Sequence, residues 1–423
     1  MSLCTNVDLL PWETRQKIHE DLEIKIESKF GMAPPKYIYP FEIVGDNIKL
    51  PFAYATQILK LKRPNREDFP PMEVEFVGKL RPEQQEVRKE AIKHLSKSGS
   101  IILSMYTGFG KTAGAINLAA GIKFKTLVIV NKLILMKQWE EGILRFCPSG
   151  KVQRLTPQSK KKDCDFYIMN AQNVEKMGNN FFNDIGTVII DESHLIMAET
   201  LSRSLQYVRP RYLIGLTATP YRPDGLDKLL SLYFGNYKII RKLWREHTAY
   251  KVCTGFKPRI EYGQNGRVNW GVVLDSQAND RDRNELVIKL LKYFKDRNIL
   301  VLTKRISQGE YLIQRLTEDG EDVTSLIGTN QEFEVTSRIL VGTSSKVGTG
   351  FDHPKLDALL LAGDVEEYFI QYLGRVFRTK EVVPVIIDLV DNYSVLDKHY
   401  QTRRKIYQDH GGTVKNFDLN KLV

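Results

Sequence analysis

The stretch Ile101–Leu118, IILSMYTGFGKTAGAINL, limits what this chain can fold into more than any other. Its apolar run Ile101–Met105 is short and ends at a glycine turn, the pattern of a buried strand. Gly108 and Gly110 follow, then Lys111, Thr112 and an apolar stripe through Ala113, Ile116, Ala119 and Ala120 that reads as a helix. Strand, glycine turn, Lys-Thr and helix together make a phosphate-binding loop. Glycines let successive backbone N–H groups curl around an anion, and the helix N-terminus adds partial positive charge. In such a loop the lysine reaches the outer phosphates of a nucleoside triphosphate and the threonine hydroxyl takes Mg²⁺. The usual GxxxxGK[ST] spacing wants a small residue where this chain has Met105, so the sequence downstream has to carry the reading.

Downstream, short apolar runs alternate with helical patterns. Thr126–Asn131 reads as a strand ending at Lys132, and Leu135–Phe146 as a helix containing Gln138 and Trp139. Phe166–Met169 reads as a third strand. Thr187–Ile190 is a fourth, running into Asp191-Glu192-Ser193-His194, and Tyr212–Leu216 a fifth, running into Thr217-Ala218-Thr219-Pro220. This alternation predicts a parallel sheet covered on both faces. Ligands of such sheets bind beyond the carboxyl ends of the strands, where every one of these polar clusters falls. A second alternating series follows, with strands at Ile299–Leu302, Arg338–Val341, Ala358–Leu361 and Val385–Leu389 and no GK[ST] of its own. The expected division is an N-terminal accessory region (1–79), a nucleotide-binding lobe (80–240), a connection (241–275) and a second lobe (276–423). In the first region, Thr14–Ile26 suggests a short helix and Lys36–Leu50, with its GDN turn, a hairpin. Packing against the first lobe is the expected role of 1–79, a nucleic-acid-contacting module the alternative.

Charge narrows the partner. Lys and Arg outnumber Asp and Glu by 62 to 51, a net charge of +11, which suits a polyanion such as nucleic acid. The four cysteines are scattered with no CxxC pair, as in a reduced intracellular protein, and give no zinc signal. No apolar run approaches the roughly 20 residues of a membrane span, and the N-terminus lacks a secretory pattern. The expectation is an intracellular protein that does not enter a membrane.

Asp191 and Glu192, at the end of a buried strand, are placed to hold Mg²⁺ and to activate the attacking water. Gln371, Arg375 and Arg378 in QYLGRVFR recur three to four residues apart and so share a helix face. Arginines on a lobe without its own phosphate loop suit a role at the γ-phosphate of the other. Gly348–Asp352 form a glycine turn in which Thr349 could hold a strand phosphate and Asp352 the nucleotide sugar. Asn131, Lys132, Thr303, Lys304 and Thr343 sit at strand ends, as candidates for phosphate-backbone contacts.

The ordered set resembles the superfamily 2 helicases, with DESH in place of the DEAD or DEAH box. LRPEQ is similar to the adenine-reading motif and carries Gln84 over as base reader. TGFGKT resembles motif I, NKLILMKQW motif Ia, DESH motif II, TATP motif III, VLTKR motif IV, VGTSSKVGTGFDHP motif V and QYLGRVFR motif VI. TATPYRPDG, GFDHP and the tail DLVDNYSVLDKHYQTRRKIY look like the XPB/RecG/UvsW-type DNA translocases, and closest to transcript-release helicases of large DNA viruses. The resemblance implies an α/β fold of two tandem RecA-like lobes, and ATP and Mg²⁺ as cofactors. It implies nucleotide contacts from Thr107, Gly108, Phe109, Gly110, Lys111, Thr112, Gln84, Asp352 and Gln371. His194, Thr217 and Thr219 would couple hydrolysis to movement. The expected activity is ATP-driven translocation on DNA, in transcription termination or in repair and recombination. In a viral protein the site of action would be host cytoplasm, nucleus or virion. An RNA-dependent ATPase and a catalytically silent nucleic-acid-binding scaffold are the alternatives. The sequence names no protein partner.

Overall fold

A computed structural model of the chain describes residues 2–26, 36–178, 180–196, 205–218, 227–263, 266–330, 332–347, 353–365, 369–377 and 381–422. The chain divides into two compact units, one of Met1–Met105 with Phe109–Arg241 and the other containing Lys242–Val423.

The first unit opens with five short strands, β1 (Ser2–Asn6), β2 (Ile24–Ile26), β3 (Lys36–Ile38), β4 (Glu42–Val44) and β5 (Asn47–Pro51), and one helix, α1 (Trp12–Leu22). Strands β1, β5 and β4 form an antiparallel sheet, and β2 pairs with β3. The expected hairpin is β4–β5: Val44 pairs with Asn47 across Gly45-Asp46, and Gly45 takes a φ of +58°. This region is not a free appendage. Leu22, Leu50 and Phe52 are fully buried in one apolar cluster with Ile102, Leu213, Tyr233 and Phe234 of the following lobe. Part of the basic run Leu59–Arg66 serves the fold as well. Arg63 donates from Nη1 to Leu95 O (3.2 Å) and from Nη2 to Ser96 O (3.0 Å), satisfying carbonyls at the end of the helix α2 (Pro82–Ser98).

The lobe proper is a seven-stranded parallel sheet. Its strands are β6 (Ser100–Met105), β7 (Thr126–Val130), β8 (Val152–Leu155), β9 (Phe166–Asn170), β10 (Thr187–Ile190), β11 (Tyr212–Thr217) and β12 (Lys238–Arg241). They lie in the order β12-β6-β11-β10-β7-β9-β8. Helices α3 (Lys111–Ile122), α4 (Leu133–Phe146) and the short α5 (Ser193–Ile196) each begin just beyond the carboxyl end of a strand. The central strands are buried along their whole length, which is why their sequences are continuous apolar runs.

The second unit is another seven-stranded parallel sheet, of β13 (His247–Cys253), β14 (Ile299–Thr303), β15 (Val323–Leu326), β16 (Ile339–Thr343), β17 (Ala358–Leu361), β18 (Val385–Val390) and β19 (Gly412–Asn416). The order is β15-β16-β14-β17-β18-β13-β19. The stretch 241–275, read from sequence as a connection, therefore supplies β13 to this sheet and the start of the helix Trp270–Asn279. Strand β13 lies between β18 and the edge strand β19, and its burial alternates. Its polar Thr248, Tyr250 and Lys251 hide it from a search for apolar runs.

Candidate nucleotide and nucleic-acid sites

The phosphate loop is built as its sequence requires. Gly108 and Gly110 take φ values of +92° and +88°, a region that disfavours side chains. Met105, the unexpected residue at the loop entry, is the last residue of β6 and is buried, so its side chain belongs to the core. Lys111 begins α3 and its ammonium donates to Met105 O at 3.0 Å, across the mouth of the loop. Thr112 follows in the first turn of α3.

The start of α2 reaches the same loop. Gln84 is buried; its Nε2 donates to Phe109 O (2.8 Å), and its Oε1 accepts from the Arg81 N–H (2.8 Å) to close the helix cap. The Arg81 guanidinium also donates to Phe109 O. One amide thus ties a helix N-terminus to the phosphate loop, and a Cβ on Gly110 would fall 2.4 Å from Gln84 Nε2. Sequence reasoning found Gln84 but not Arg81, whose role shows only once the loop folds back on α2.

Asp191 and Glu192 follow β10, at the same edge of the sheet. Trp139 Nε1 donates to Asp191 Oδ2 at 2.8 Å from the middle of α4. The Glu192 N–H donates to Asp191 Oδ1 (3.0 Å), in a turn where Glu192 adopts φ +47°. That conformation costs a residue with a side chain about 1–3 kcal/mol and is held here by its neighbours. Burial, and then the Glu192 charge, push the Asp191 carboxyl up to about 6, while the Trp139 N–H and the Lys111 charge act the other way. Burial lowers the Lys132 ammonium, against the charge of Glu192.

The arrangement suits a hard divalent cation. Thr112 offers a hydroxyl and Asp191 a carboxylate made more basic by burial and by the Glu192 charge, an all-oxygen donor set. Among the described residues there is no group of three or more His, Cys, Asp or Glu that could hold a metal ion.

His194, in α5, is buried, with Nδ1 2.8 Å from the Thr217 hydroxyl at the end of β11 and 3.5 Å from Glu192 Oε2. Asn131 and Lys132 follow β7 at this same sheet edge. The edge therefore gathers Lys111, Thr112, Asp191, Glu192, His194, Thr217, Asn131 and Lys132.

In the second unit, Lys304, Thr343 and Gly328 line a cleft of about 540 Å³ with Arg305, Ser307, Ser344, Ser345 and Lys346, at the carboxyl ends of β14, β15 and β16. Thr343 Oγ1 lies 3.3 Å from Ser345 Oγ. Thr303 is fully buried and does not line the cleft. Arg305 is anchored by Asp275 Oδ1 (2.6 Å) and Gly271 O (3.2 Å). The sequence reading missed Arg305, Ser345 and Lys346, whose common signal is position just past a strand end. Gln371 is buried and Arg375 partly buried in the helix Phe369–Val376. Thr219, Thr349, Asp352 and Arg378 lie outside the described residues.

These geometries define the class: two parallel-sheet lobes, one carrying a phosphate loop and an Asp-Glu box at its carboxyl edge, the plan of superfamily 2 helicases. The comparisons agree. Residues 78–222 match the family model "Type III restriction enzyme, res subunit". The chain is 43% identical over 446 residues to "Putative helicase 161L" of Invertebrate iridescent virus 6, covering 99% of this chain and 100% of that protein. It is 31% identical to "Putative helicase 055L" of Frog virus 3, over 88% of this chain and 86% of that one. Among solved structures, S. cerevisiae Dbp5 bound to RNA and ADP BeF3 superposes with a TM-score of 0.58 at 15% identity, covering 80% of this chain and 95% of that chain, a likeness of fold. The chain belongs to the superfamily 2 helicases, with the helicases of these viruses as relatives, and is an ATP-hydrolysing helicase. No described helix is long and apolar enough to cross a membrane.

Proposed function

We propose that this helicase binds ATP with Mg²⁺ at the first lobe and uses its hydrolysis to move along DNA. One observation carries the reading: the phosphate loop, the Asp191-Glu192 pair and the His194–Thr217 link stand together at one sheet edge, beside the strand-end residues Asn131 and Lys132. Lys111 leaves the Met105 carbonyl to engage the β- and γ-phosphates, while the N–H groups of the glycine loop cradle them. Thr112 and Asp191 would hold the metal, whose positive charge would offset the charge developing on the phosphates. Glu192 orients the attacking water and accepts its proton. Arg375 and Arg378 act as the second lobe's contribution to the γ-phosphate.

On the nucleic-acid side, Asn131 and Lys132 of the first lobe and Lys304, Arg305, Lys346 and Thr343 of the second grip phosphates. Such contacts position a strand without reading its bases. All four cysteines are free thiols, consistent with action inside a cell. A role in transcript release or in repair is the biological setting this reading suggests.

The test compares ATP turnover with single-stranded DNA, duplex DNA and RNA of equal length, beside a Lys111→Ala control. DNA should stimulate most, and the control should be silent. Stimulation by RNA alone would replace the DNA reading with an RNA one. Turnover in the control equal to wild type would overturn the nucleotide site.

A further inference from the structure

Helix α4 touches both sides of the first lobe's chemistry. Its N-cap residue is Lys132, directly after Asn131 just past the end of β7, among the residues proposed to grip phosphate. Trp139, six residues past Leu133 and so about 9 Å farther along the axis, donates its indole N–H to Asp191 Oδ2 at 2.8 Å. The Trp139 ring is 2% exposed, so nothing in solvent competes for that hydrogen bond. One turn on, Gly142 leaves α4 close to α3: a Cβ there would lie 3.5 Å from Thr112 Cγ2 and 3.6 Å from Ile116 Cδ1. The same helix therefore starts beside the strand-end polar residues, bonds Asp191 through Trp139 and passes close to Thr112.

We infer that α4 is the strut through which nucleic acid held at Asn131 and Lys132 sets Asp191, with the Trp139 indole as the contact, making Trp139 a positioning residue for the metal-side carboxylate. The inference rests on the function proposed above. Three features support it. An indole N–H is a donor only, fixed in the plane of a large buried ring, and so restricts the direction in which Asp191 presents its oxygens. Asp191 Oδ1 is already engaged by the Glu192 N–H, so the two donors together fix the carboxylate plane. A shift of α4 along its axis moves the N–H without breaking any sheet hydrogen bond, because α4 lies outside the ladder. Nucleic acid drawing on Lys132 would thus reset the geometry of the acid, a route for its stimulation of hydrolysis within one lobe.

The experiment is a double-mutant cycle read in binding. The Mg²⁺ concentration that half-saturates the binding of a fluorescent ATP analogue is measured for wild type, Trp139→Phe, Asp191→Ala and the double variant, with and without single-stranded DNA. Trp139→Phe keeps the ring and removes the donor. It should raise the Mg²⁺ requirement roughly 10-fold or more, the scale of a hydrogen bond to a charged group. It should also abolish the effect of DNA on that requirement, while leaving DNA affinity unchanged. In the Asp191→Ala background the same change should add nothing. An unaltered Mg²⁺ requirement in Trp139→Phe, or an equal effect with and without Asp191, would overturn the inference. Should Trp139→Phe not fold, the ¹⁵N-indole resonance of Trp139 in the unaltered chain gives the answer: it should shift when DNA binds, and a resonance that stays put overturns the strut. Failure of the underlying reading looks different, since a wild-type chain that binds neither nucleotide nor DNA leaves no cycle to measure.

Discussion

His194 Nδ1 and the Thr217 hydroxyl lie 2.8 Å apart, both in buried residues, and bridge the turn after β10 to the end of β11. The same ring nitrogen faces Glu192 Oε2 at 3.5 Å. A change at Glu192 during hydrolysis therefore has a polar contact through which to reach the segment that follows Thr217. Thr217→Val keeps the volume and removes the hydroxyl. ATP turnover should stay within a few-fold of wild type while strand displacement per ATP falls by about 10-fold or more, as expected when one buried hydrogen bond of a network is lost. Parallel assays of phosphate release and strand displacement decide it. Equal losses in both would show that the pair serves hydrolysis and not coupling.

Glu192→Gln separates binding from chemistry. The amide retains shape and hydrogen bonding but cannot accept the proton of water. ATP affinity should hold while turnover drops by about 10²–10⁴-fold, the contribution typical of a general base. A variant that loses affinity at unchanged maximal rate contradicts the role given to Glu192.

How far the sequence disclosed all this follows from burial. Strands β6, β7, β9 and β10 are buried on both faces and stand out as apolar runs, as does β11 apart from its first residue. The strands it hid, β8, β12, β15 and β19, are all sheet edges, and β13 adjoins one. An edge strand faces water along part of its length and tolerates residues such as Arg154, Lys238 and Lys415, so apolarity no longer marks it. The site divides the same way. Lys111, Asp191 and His194 lie within local motifs, whereas the partners that orient them come from distant segments. Nothing in the words KQW and DESH says that Trp139 N–H meets Asp191, because only the pairing of Ile190 with Ile129 brings α4 to the acid. Gln84 was legible as a polar residue near a helix start, but its bond to Phe109 O depends on how the phosphate loop folds back.

Gly110 offers a test of that fold-back. Gly110→Ala meets two obstacles, a φ of +88° and the Gln84 amide 2.4 Å from the new methyl. Nucleotide affinity should fall by about 10-fold or more, since αL strain alone is worth about 1–2 kcal/mol. Gln84→Ala alone should also weaken binding, but in the double variant it removes the clash and leaves the φ strain, so the double variant should lose less than the product of the two single losses. Isothermal titration with ATP checks this. A double variant weaker than the product of the two single effects would show that Gln84 is not the obstacle.

Acid should weaken the second unit through His247. Burial lowers its pKa from the ordinary 6.5, and its Nδ1 lies 2.8 Å from Arg245 O. A histidine with a depressed native pKa takes up its proton more readily in the unfolded chain. Its contribution is therefore complete above about pH 6.5 and is lost as pH falls below that value. Thermal midpoints between pH 7.5 and 5.5 should decline, and the decline should be shallower in His247→Gln, which does not titrate. Identical slopes for the two proteins would remove His247 as the cause.

The cleft of the second unit makes the last prediction, because one of its cations also ties down a helix. Lys304, Arg305 and Lys346 line it beside Thr343 and Ser345, and Arg305 is bonded to Asp275 and Gly271 O of the helix Trp270–Asn279. A cation that neutralises one phosphate releases about one counterion, so log affinity falls against log salt with a slope of about 0.7–0.9 per contact. Lys304→Ala and Lys346→Ala should each flatten that slope by about this amount, and the double variant by about twice it. The loss of affinity should be uniform across base sequences, since phosphate contacts carry no sequence information. Arg305→Ala should behave differently: a similar change in slope, together with a lowered thermal midpoint, because it also releases the helix that carries Asp275. Binding isotherms at four salt concentrations, beside melting curves, separate the two cases. If neither lysine variant changes the slope, the cleft is not a phosphate track, and the nucleic acid contacts the second lobe elsewhere.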